Sequence, residues 1–484
     1  MVGPYSLDQI IEIKKSFSAN TADNGIEPFV DPGSSGAALS RQSMDKTAAA
    51  LVSGDGDFNF LQEVPKRVID QVLPEYNRIV SHGGDWCNPS YLGQGEDPSS
   101  RDAEVERTYA ECTYGAEGFA YNKVVAAVQN IQDPELIQSN SALRRLMQNF
   151  MRSIWFGKKS VNKFSQNGFL ASVSMADNSF VIDARGQLPT AAEIKYHSSI
   201  IRTKYFGKVN KLTMHNSTKT LYDQIYANTG AGQSVIIQNQ SQNPGDLTYG
   251  NKVSAINDSN AYDEKVIFEK DIWMDRHNWG VPMRRDANGK LVEGPTSFEN
   301  SPPTPTVTLA AIANLPGSLF TGSYVGNYKY RVCAASFRDY SAASSVQAVD
   351  VTVKGGVEIT IAPGIGGPSE VLYAIFRETA PGSGIIRFMV EVSRNTSGNT
   401  VYTDLNEDLP GTAIMVQGDF NSESITDDKR TFILSELLPF TKTIFPLGAG
   451  GKLRTYIGMV EYYAVLQIVA PEKFRVYKNV PVML

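Results

Sequence analysis

The sequence has few of the residues from which disulfide frameworks and zinc sites are built. Among 484 residues there are three cysteines and four histidines: Cys87, Cys112, Cys333, His82, His197, His215 and His277. Three widely spaced cysteines do not make a disulfide framework, which fits folding in a reducing cytoplasm. The histidines form no HxxxH pair and no CxxC is present, so we expect no structural zinc.

Long apolar runs and targeting signals are also missing. No window approaches about eighteen uninterrupted apolar residues, so no membrane span is expected. The N-terminal stretch MVGPYSLDQIIEIKKSF lacks the apolar core of a signal peptide. The net charge of −6 argues against nucleic-acid binding by the whole surface, although local patches can still be basic. The length predicts roughly two to four domains.

Motifs for chemistry are absent or incomplete. The string GKKS (157–160) follows a predicted helix and lacks the leading glycine of a phosphate-binding loop. Asp55, Asp57 and Asn59 have calcium-loop spacing, but Phe60 and Lys66 replace the required glycine and glutamate. No G-x-S-x-G nucleophile elbow occurs. We therefore expect no enzyme activity, no cofactor and no metal site.

The first part of the chain reads as an arm followed by strands. Residues 1–60 combine a short amphipathic helix with a polar, Gly/Ser-rich stretch that cannot bury a core of its own. Residues 61–130 contain two runs of alternating character around a turn-rich tip at about 83–100. This pattern predicts a long hairpin with flanking strands.

Residues 131–300 begin with the clearest helix of the chain. Asp133 and Pro134 form its predicted start and Gly157 its end. Thr190 and Glu193 have capping-box spacing and predict a second helix that ends at Gly207. A third, shorter helix is predicted over about 217–226. The first helix carries an apolar stripe: Leu143, Leu146, Met147, Phe150, Met151, Ile154 and Trp155.

The composition changes at residue 301. SPPTPTVTLAA reads as a Pro/Thr linker, and six short strands with turn residues between them follow, which is typical of a β-sandwich. The string GNYKYRVCAASFRDYSAAS resembles the late strands of fibronectin type III modules. From residue 419 to 484 the sequence again resembles the part before residue 301. We therefore predict that a sandwich at 301–418 interrupts another domain.

The order of these parts resembles the coat proteins of tailed bacteriophages, the Hong Kong 97-like fold. The helix ending in SIWFG (153–157) is similar to the spine helix of that family, and the hairpin to its extended loop. IDARGQLPTAAEI and VNKLTMHNSTKTLYDQI look like its central α/β region, and APEKFRVYKNV (470–480) like its last strand. The resemblance covers 60–300 and 420–484; it is loose for the arm and absent from 301–418.

The resemblance implies an α+β capsid fold with an inserted immunoglobulin-like domain. It implies a structural subunit that assembles with itself, as hexamers and pentamers, into an icosahedral shell around double-stranded DNA. Portal, scaffold and decoration proteins are further implied partners, with assembly in the host cytoplasm and a final place in the virion. Two alternatives stay open: a tail or receptor-binding protein, and a carbohydrate-active enzyme with an accessory fibronectin-like module.

One stretch of the acidic chain is basic. Between Leu136 and Ala176 there is no acid, but there are six basic residues: Arg144, Arg145, Arg152, Lys158, Lys159 and Lys163. Arg145, Arg152 and Lys159 step by seven and would share one side of the helix. The resemblance places this helix toward the shell interior, so we expect weak, sequence-independent contacts with DNA phosphates. The competing interpretation is a solvated helix face.

Overall fold

The computed structural model describes residues 57–83, 91–97, 100, 102–123, 133–228, 253–276, 283–285, 291–293, 301–336, 339–366, 369–420, 430–446 and 454–483. Over these ranges the fold is α+β, as predicted. The expected arm, residues 1–60, lies almost wholly outside the described residues. None of the described helices is long and apolar enough to cross a membrane.

The described α-helices all lie in the first half of the chain. They are α1 Asn59–Glu63, α2 Pro134–Phe156, α3 Phe169–Ala176, α4 Ala191–Tyr205 and α5 Asn216–Asn228. The predicted third helix is thus present as α5, slightly longer than expected.

The strands of the described chain fall into three groups along the sequence. Before residue 301 they are β1 Lys66–Val68, β2 Glu75–Ser81, β3 Glu104–Tyr109, β4 Thr113–Asn122, β5 Val181–Asp183, β6 Lys211–Met214, β7 Ala255–Asn257, β8 Lys265–Lys270, β9 Met283–Arg285 and β10 Leu291–Glu293. The middle group is β11 Thr306–Ile312, β12 Gly326–Ala335, β13 Gln347–Val351, β14 Gly356–Ala362, β15 Leu372–Glu378, β16 Ile386–Ser393 and β17 Thr400–Asp404. The last group is β18 Ala413–Gly418, β19 Phe432–Phe445, β20 Thr455–Ile468 and β21 Phe474–Val480.

Helix α2 begins and ends where the sequence predicts. The Asp133 carboxylate accepts a hydrogen bond from the backbone N–H of Glu135 at 3.0 Å, and Pro134 is the first helical residue. After the helix, a Cβ on Gly157 would lie 2.4 Å from the carbonyl oxygen of Ser153, so the close approach requires glycine. Most of the predicted apolar stripe is buried: Leu146, Phe150, Met151, Ile154 and Trp155.

Helix α4 has the predicted capping box but a different end. Thr190 Oγ1 accepts from the Glu193 N–H at 3.3 Å, and Glu193 Oε2 accepts from the Thr190 N–H at 2.7 Å. The helix ends at Tyr205, and Phe206, with φ 55°, takes the left-handed position expected at Gly207. Gly207 is needed for space instead, because a Cβ there would lie 2.8 Å from a methyl group of α4. The sequence shows a glycine, but it does not show whether the fold uses its left-handed backbone conformation or its lack of a Cβ.

A four-stranded sheet of order β1-β19-β20-β4 lies beneath α2. Strands β19 and β20 form a long antiparallel hairpin. The Phe150 ring meets the Tyr462 ring edge-on at 4.8 Å, and Tyr462 stacks on Phe440 at 3.8 Å. The Tyr462 hydroxyl donates to Glu436 at 2.7 Å, so this buried aromatic group is also satisfied as a donor.

A six-stranded mixed sheet of order β5-β21-β18-β6-β8-β7 forms the second layer of the fold. Its central strand β18 pairs with β21 on one side and β6 on the other. Ile414 and Val416 face the core around α2 and α3, whereas Met415 faces the core around α4 and α5. The sandwich predicted at 301–418 would include β18, but β18 pairs with β21 and β6 instead. A short apolar run in a sequence carries no sign of which sheet it joins.

Residues 306–404, which we call the two-sheet segment, form two antiparallel sheets of order β11-β14-β17 and β13-β12-β15-β16. The six strands expected after the linker are present as β12 to β17. The linker predicted over 301–311 is wrong for its second half, because Thr306–Ile312 is a strand paired along its length with β14. The two sheets share one buried core, which includes Tyr328, Tyr330, Ile359 and Ile375.

Candidate functional surfaces

Ser217 and His215 lie at the distance of a nucleophile and its base. The Ser217 hydroxyl lies 2.8 Å from His215 Nδ1, but the Ser217 backbone N–H also donates to the same nitrogen at 3.2 Å. A backbone N–H can only donate, so Nδ1 is the acceptor nitrogen and caps the start of α5. Burial lowers the pKa of His215, which favours this neutral form. The pair therefore has a structural role in starting the helix.

Asp271 is a buried acid between two tryptophans. Its carboxylate accepts from Trp155 Nε1 at 2.9 Å and from the backbone N–H of Trp273 at 2.8 Å. Burial raises the pKa of Asp271 to about 6, against the opposing effect of these two donors. The group ties the end of α2 to the segment after β8. The described residues contain no cluster of three or more His, Cys, Asp or Glu that could hold a metal ion.

The raised pKa of Asp271 predicts that stability depends on pH and that Asp271→Asn removes this dependence. The pKa of the folded state, about 6, exceeds the unfolded value of 3.8, so the folded state holds the proton more tightly. Stability from this group is complete below about pH 4 and is lost as the pH rises toward 6, by up to about 3 kcal/mol. Chemical denaturation between pH 4 and 7 should show that this loss is absent from Asp271→Asn. Parallel pH profiles of wild type and variant would contradict the assignment.

The structure does not support the expectation that the basic stretch lacks neighbouring acids. Arg145 Nε lies 3.3 Å from Glu117 Oε2, and the Lys159 ammonium pairs with Glu111. Both acids come from β4 or the residues just before it, about thirty to fifty positions away in sequence. Counting acids only within 136–176 missed them because β4 packs against α2. Two of the six cations are therefore paired with carboxylates.

Arg152 does not point into open solvent either. Its guanidinium carbon lies 5.6 Å from the centre of the Trp273 ring. Burial lowers the pKa of Arg152 to about 10, while the nearby Asp275 acts in the opposite direction. Arg152 is also in electrostatic range of Tyr340 and Glu391 of the two-sheet segment. Arg152 therefore lies where α2 approaches the two-sheet segment.

The prediction that Arg145, Arg152 and Lys159 share one side of the helix is wrong. Helix α2 ends at Phe156, so Lys159 lies beyond it. Lys158 and Lys163 are exposed in the following loop, and Lys163 Nζ lies 4.9 Å from the Phe164 ring centre. Arg144 is partly buried on α2. Two exposed lysines of the stretch thus lie in this loop, outside α2.

The predicted hairpin is confirmed for β2 and β3, which pair from Glu75↔Tyr109 to Ser81↔Glu104. The second predicted run divides at residues 110–112, and its later half is β4 of the four-stranded sheet. Half of the predicted tip at about 83–100, namely 84–90 and 98–99, lies outside the described residues.

One face of the hairpin rests on the C-terminal region. The Tyr76 hydroxyl donates to the Ile468 carbonyl at 3.3 Å, and Arg78 lies between Glu106 at 2.7 Å and Glu472 at 2.9 Å. Burial raises the pKa of the Tyr76 hydroxyl. These contacts hold the base of the hairpin against the subunit.

The opposite face of the hairpin exposes one apolar cross-strand pair next to the polar pair Asn77 and Arg107. Ile79 and Val105 are direct cross-strand partners, and each is 58% exposed. Further exposed apolar side chains lie nearby in sequence: Val68, Val72, Leu73, Val80 and Tyr109. Single exposed apolar residues are ordinary, whereas several in one stretch of the chain indicate a binding surface. Sequence patterning suggested the hairpin without showing which face would be left bare.

No protein-family model matches the chain. A protein of Enterococcus phage phiEF24C is 24% identical over 487 residues, covering 97% of this chain and 94% of that protein. The major capsid protein of Staphylococcus phage K is 23% identical over 488 residues, covering 97% and 95%. That of Staphylococcus phage S25-3 is 22% identical over 487 residues, with the same coverage.

Two solved structures have a partly similar arrangement. The Microbacterium phage Oxtober96 structure aligns over 92% of this chain and 97% of its own, with 9% identity and a TM-score of 0.45. The capsid of a native GTA particle aligns over 92% and 97%, with 8% identity and a TM-score of 0.43. On its sequence alignments, which run through nearly its whole length, the chain is a homologue of the major capsid proteins of phages.

Proposed function

We propose that this chain is the major capsid subunit of a tailed phage, a structural protein that assembles with itself into an icosahedral shell around double-stranded DNA. The observation that carries the proposal is homology to phage major capsid proteins over 97% of the chain. Assembly takes place in the host cytoplasm and leaves the protein in the virion. Portal, scaffold and decoration proteins are its further partners. No catalytic step is part of this function.

The elements have natural places in a Hong Kong 97-like subunit. We assign α2 as the spine helix, the β2–β3 hairpin as the extended loop, and the four- and six-stranded sheets as the two core layers. We assign the two-sheet segment, 306–404, as an inserted immunoglobulin-like module. Its own buried core and its position between two parts of one sheet support this assignment.

Subunit contacts would complete surfaces that one chain leaves uncovered. The outer hairpin face exposes Ile79 and Val105, and burial against a neighbour would remove this apolar area from water. Because such contacts exist only in the assembly, much of the subunit's stability would depend on the lattice.

Expression in bacteria followed by electron microscopy tests the function directly. We expect closed shells, or capsomers that close on addition of a scaffold protein. Elongated trimers or fibres would favour the tail-protein alternative, and a persistent monomer under every assembly condition would contradict the proposal.

For DNA contact we propose the exposed loop lysines Lys158 and Lys163, since Arg145, Arg152 and Lys159 have partners within the chain. Changing both to glutamine should leave shell formation intact and weaken retention of DNA. The deficit should be largest at low salt and shrink as salt rises, because fewer counterions are released per subunit. Retention of DNA by purified particles over a salt series measures this.

The matched control is Lys195→Gln with Lys204→Gln, two exposed lysines on α4. This pair removes the same charge from a different surface. Equal retention by all three proteins at every salt concentration would show that the loop lysines face away from DNA.

A further inference from the structure

Arg185, just after β5, reaches into the two-sheet segment. Its two terminal nitrogens donate to different loops, to the carbonyl of Asn406 at 2.6 Å and to that of Leu319 at 2.9 Å. The guanidinium carbon lies 4.7 Å from the Tyr324 ring centre, and the Tyr324 hydroxyl donates back to the Arg185 carbonyl at 2.9 Å. A planar guanidinium held by two carbonyl acceptors and a ring face has little freedom to turn.

Asn479 of β21 makes a second set of bonds at the same place. Its Oδ1 accepts from the Leu409 N–H at 2.9 Å, and its Nδ2 donates to the Glu407 carbonyl at 2.8 Å. Nδ2 also donates to Asp183 Oδ1 at 2.7 Å, an atom that accepts from the Arg185 N–H at 3.0 Å as well. The edge of the six-stranded sheet and the chain leaving the segment thus share one network.

The network continues into the interior of the segment. Asn406 Oδ1 accepts from Arg377 Nη2 at 2.8 Å, and the Asn406 N–H donates to Asp404 at 2.8 Å. Arg377, fully buried, donates to Asp404 at 2.6 Å, and Tyr330 donates to the same carboxylate oxygen at 2.8 Å. The stability of a buried ion pair depends strongly on its geometry.

The backbone is unusual at three points of this network. Arg185 has φ 49°, Asn406 has φ 62° and Asn479 has φ 58°. Non-glycine residues in this left-handed region are uncommon, and they persist where the surroundings over-determine them. Three of the eight such residues in the described chain therefore meet at one junction.

Other contacts join the segment's flanks to the core. Arg276, next to the six-stranded sheet, pairs with Asp408 at 2.5 Å. Burial opposes the charge of Asp408, but the Arg276 guanidinium outweighs it and lowers the pKa of this carboxyl. On another side, Arg152 of α2 lies in electrostatic range of Tyr340 and Glu391.

We propose that Arg185, Asn406 and Asn479 form a clasp that holds the two-sheet segment in one fixed orientation on the six-stranded sheet and makes the two unfold together. The segment is then a rigid part of the subunit, and a load on it reaches β5 and β21 directly. A segment tethered by two flexible linkers would need none of these contacts. The inference concerns the subunit itself and does not depend on what it assembles into.

The test compares full-length wild type with Arg185→Ala and Tyr324→Phe, the latter losing one hydroxyl. A glutamate-specific protease reports the junction, because Glu407 is exposed while its backbone carbonyl is held by Asn479. We expect cleavage after Glu407 to be at least tenfold faster in Arg185→Ala and a few-fold faster in Tyr324→Phe. Calorimetry should show one transition in wild type and two in Arg185→Ala.

The matched control is Arg202→Ala, an exposed arginine near the end of α4, which should cleave and melt like wild type. If Arg185→Ala is insoluble, Tyr324→Phe decides by the same two measurements. Cleavage rates and transitions equal to wild type in the soluble clasp variants would overturn the proposal.

Discussion

Replacing residues 301–418 with a flexible linker should leave no soluble subunit, whereas replacing only 306–404 should leave one that folds. The first change removes β18 from between β21 and β6. Its buried Ile414, Met415 and Val416 each contribute about 2 kcal/mol of burial, before the lost strand pairing. That loss is comparable with the whole stability of many domains, about 5–15 kcal/mol.

The second replacement needs a linker of suitable length. Thr306 and Asp404 lie at opposite ends of a three-stranded sheet, so the gap is about 20 Å, which about twelve Gly/Ser residues span. Soluble yield, circular dichroism and the unfolding midpoint would be measured. We expect a lower unfolding midpoint than in wild type, because Arg185 loses its contacts with Leu319 and Tyr324. A soluble 301–418 replacement would show that β18 is dispensable.

Local signals in the sequence predicted local structure well. The start of α2 at Asp133 and Pro134, and the capping box of Thr190 and Glu193, are decided within a few residues. The strands of the two-sheet segment were recognisable because turn residues separate short apolar runs. These features need no knowledge of the rest of the chain.

Features that depend on distant pairing were not predicted. Glu111 and Glu117 approach α2 only because β4 lies alongside it, so the apparent basic ridge is partly neutralised. The apolar run 413–418 fits either a sandwich or a central strand, and only its partners decide. The clasp was invisible because Arg185, Asn406 and Asn479 are scattered over about three hundred positions.

The exposed hairpin face leads to the second large effect. Changing Ile79 to Lys and Val105 to Glu should leave a folded subunit that forms no closed shells. The new side chains are direct cross-strand partners of opposite charge, so the hairpin keeps a favourable pair. The free energy of unfolding of the unassembled subunit, measured by thermal unfolding, should therefore change by about 1 kcal/mol or less.

Assembly should respond far more strongly than folding. Burying one such apolar side chain against a neighbour is worth about 1.5–3 kcal/mol, and two per contact correspond to a factor of at least about 100 in association. Burying the charges instead adds a desolvation cost. Val401→Lys is the control, since Val401 is 55% exposed on edge strand β17 of the two-sheet segment. Light scattering and electron microscopy should show shells for the control but not for the hairpin variant; normal shells from both would place the hairpin face outside the subunit contacts.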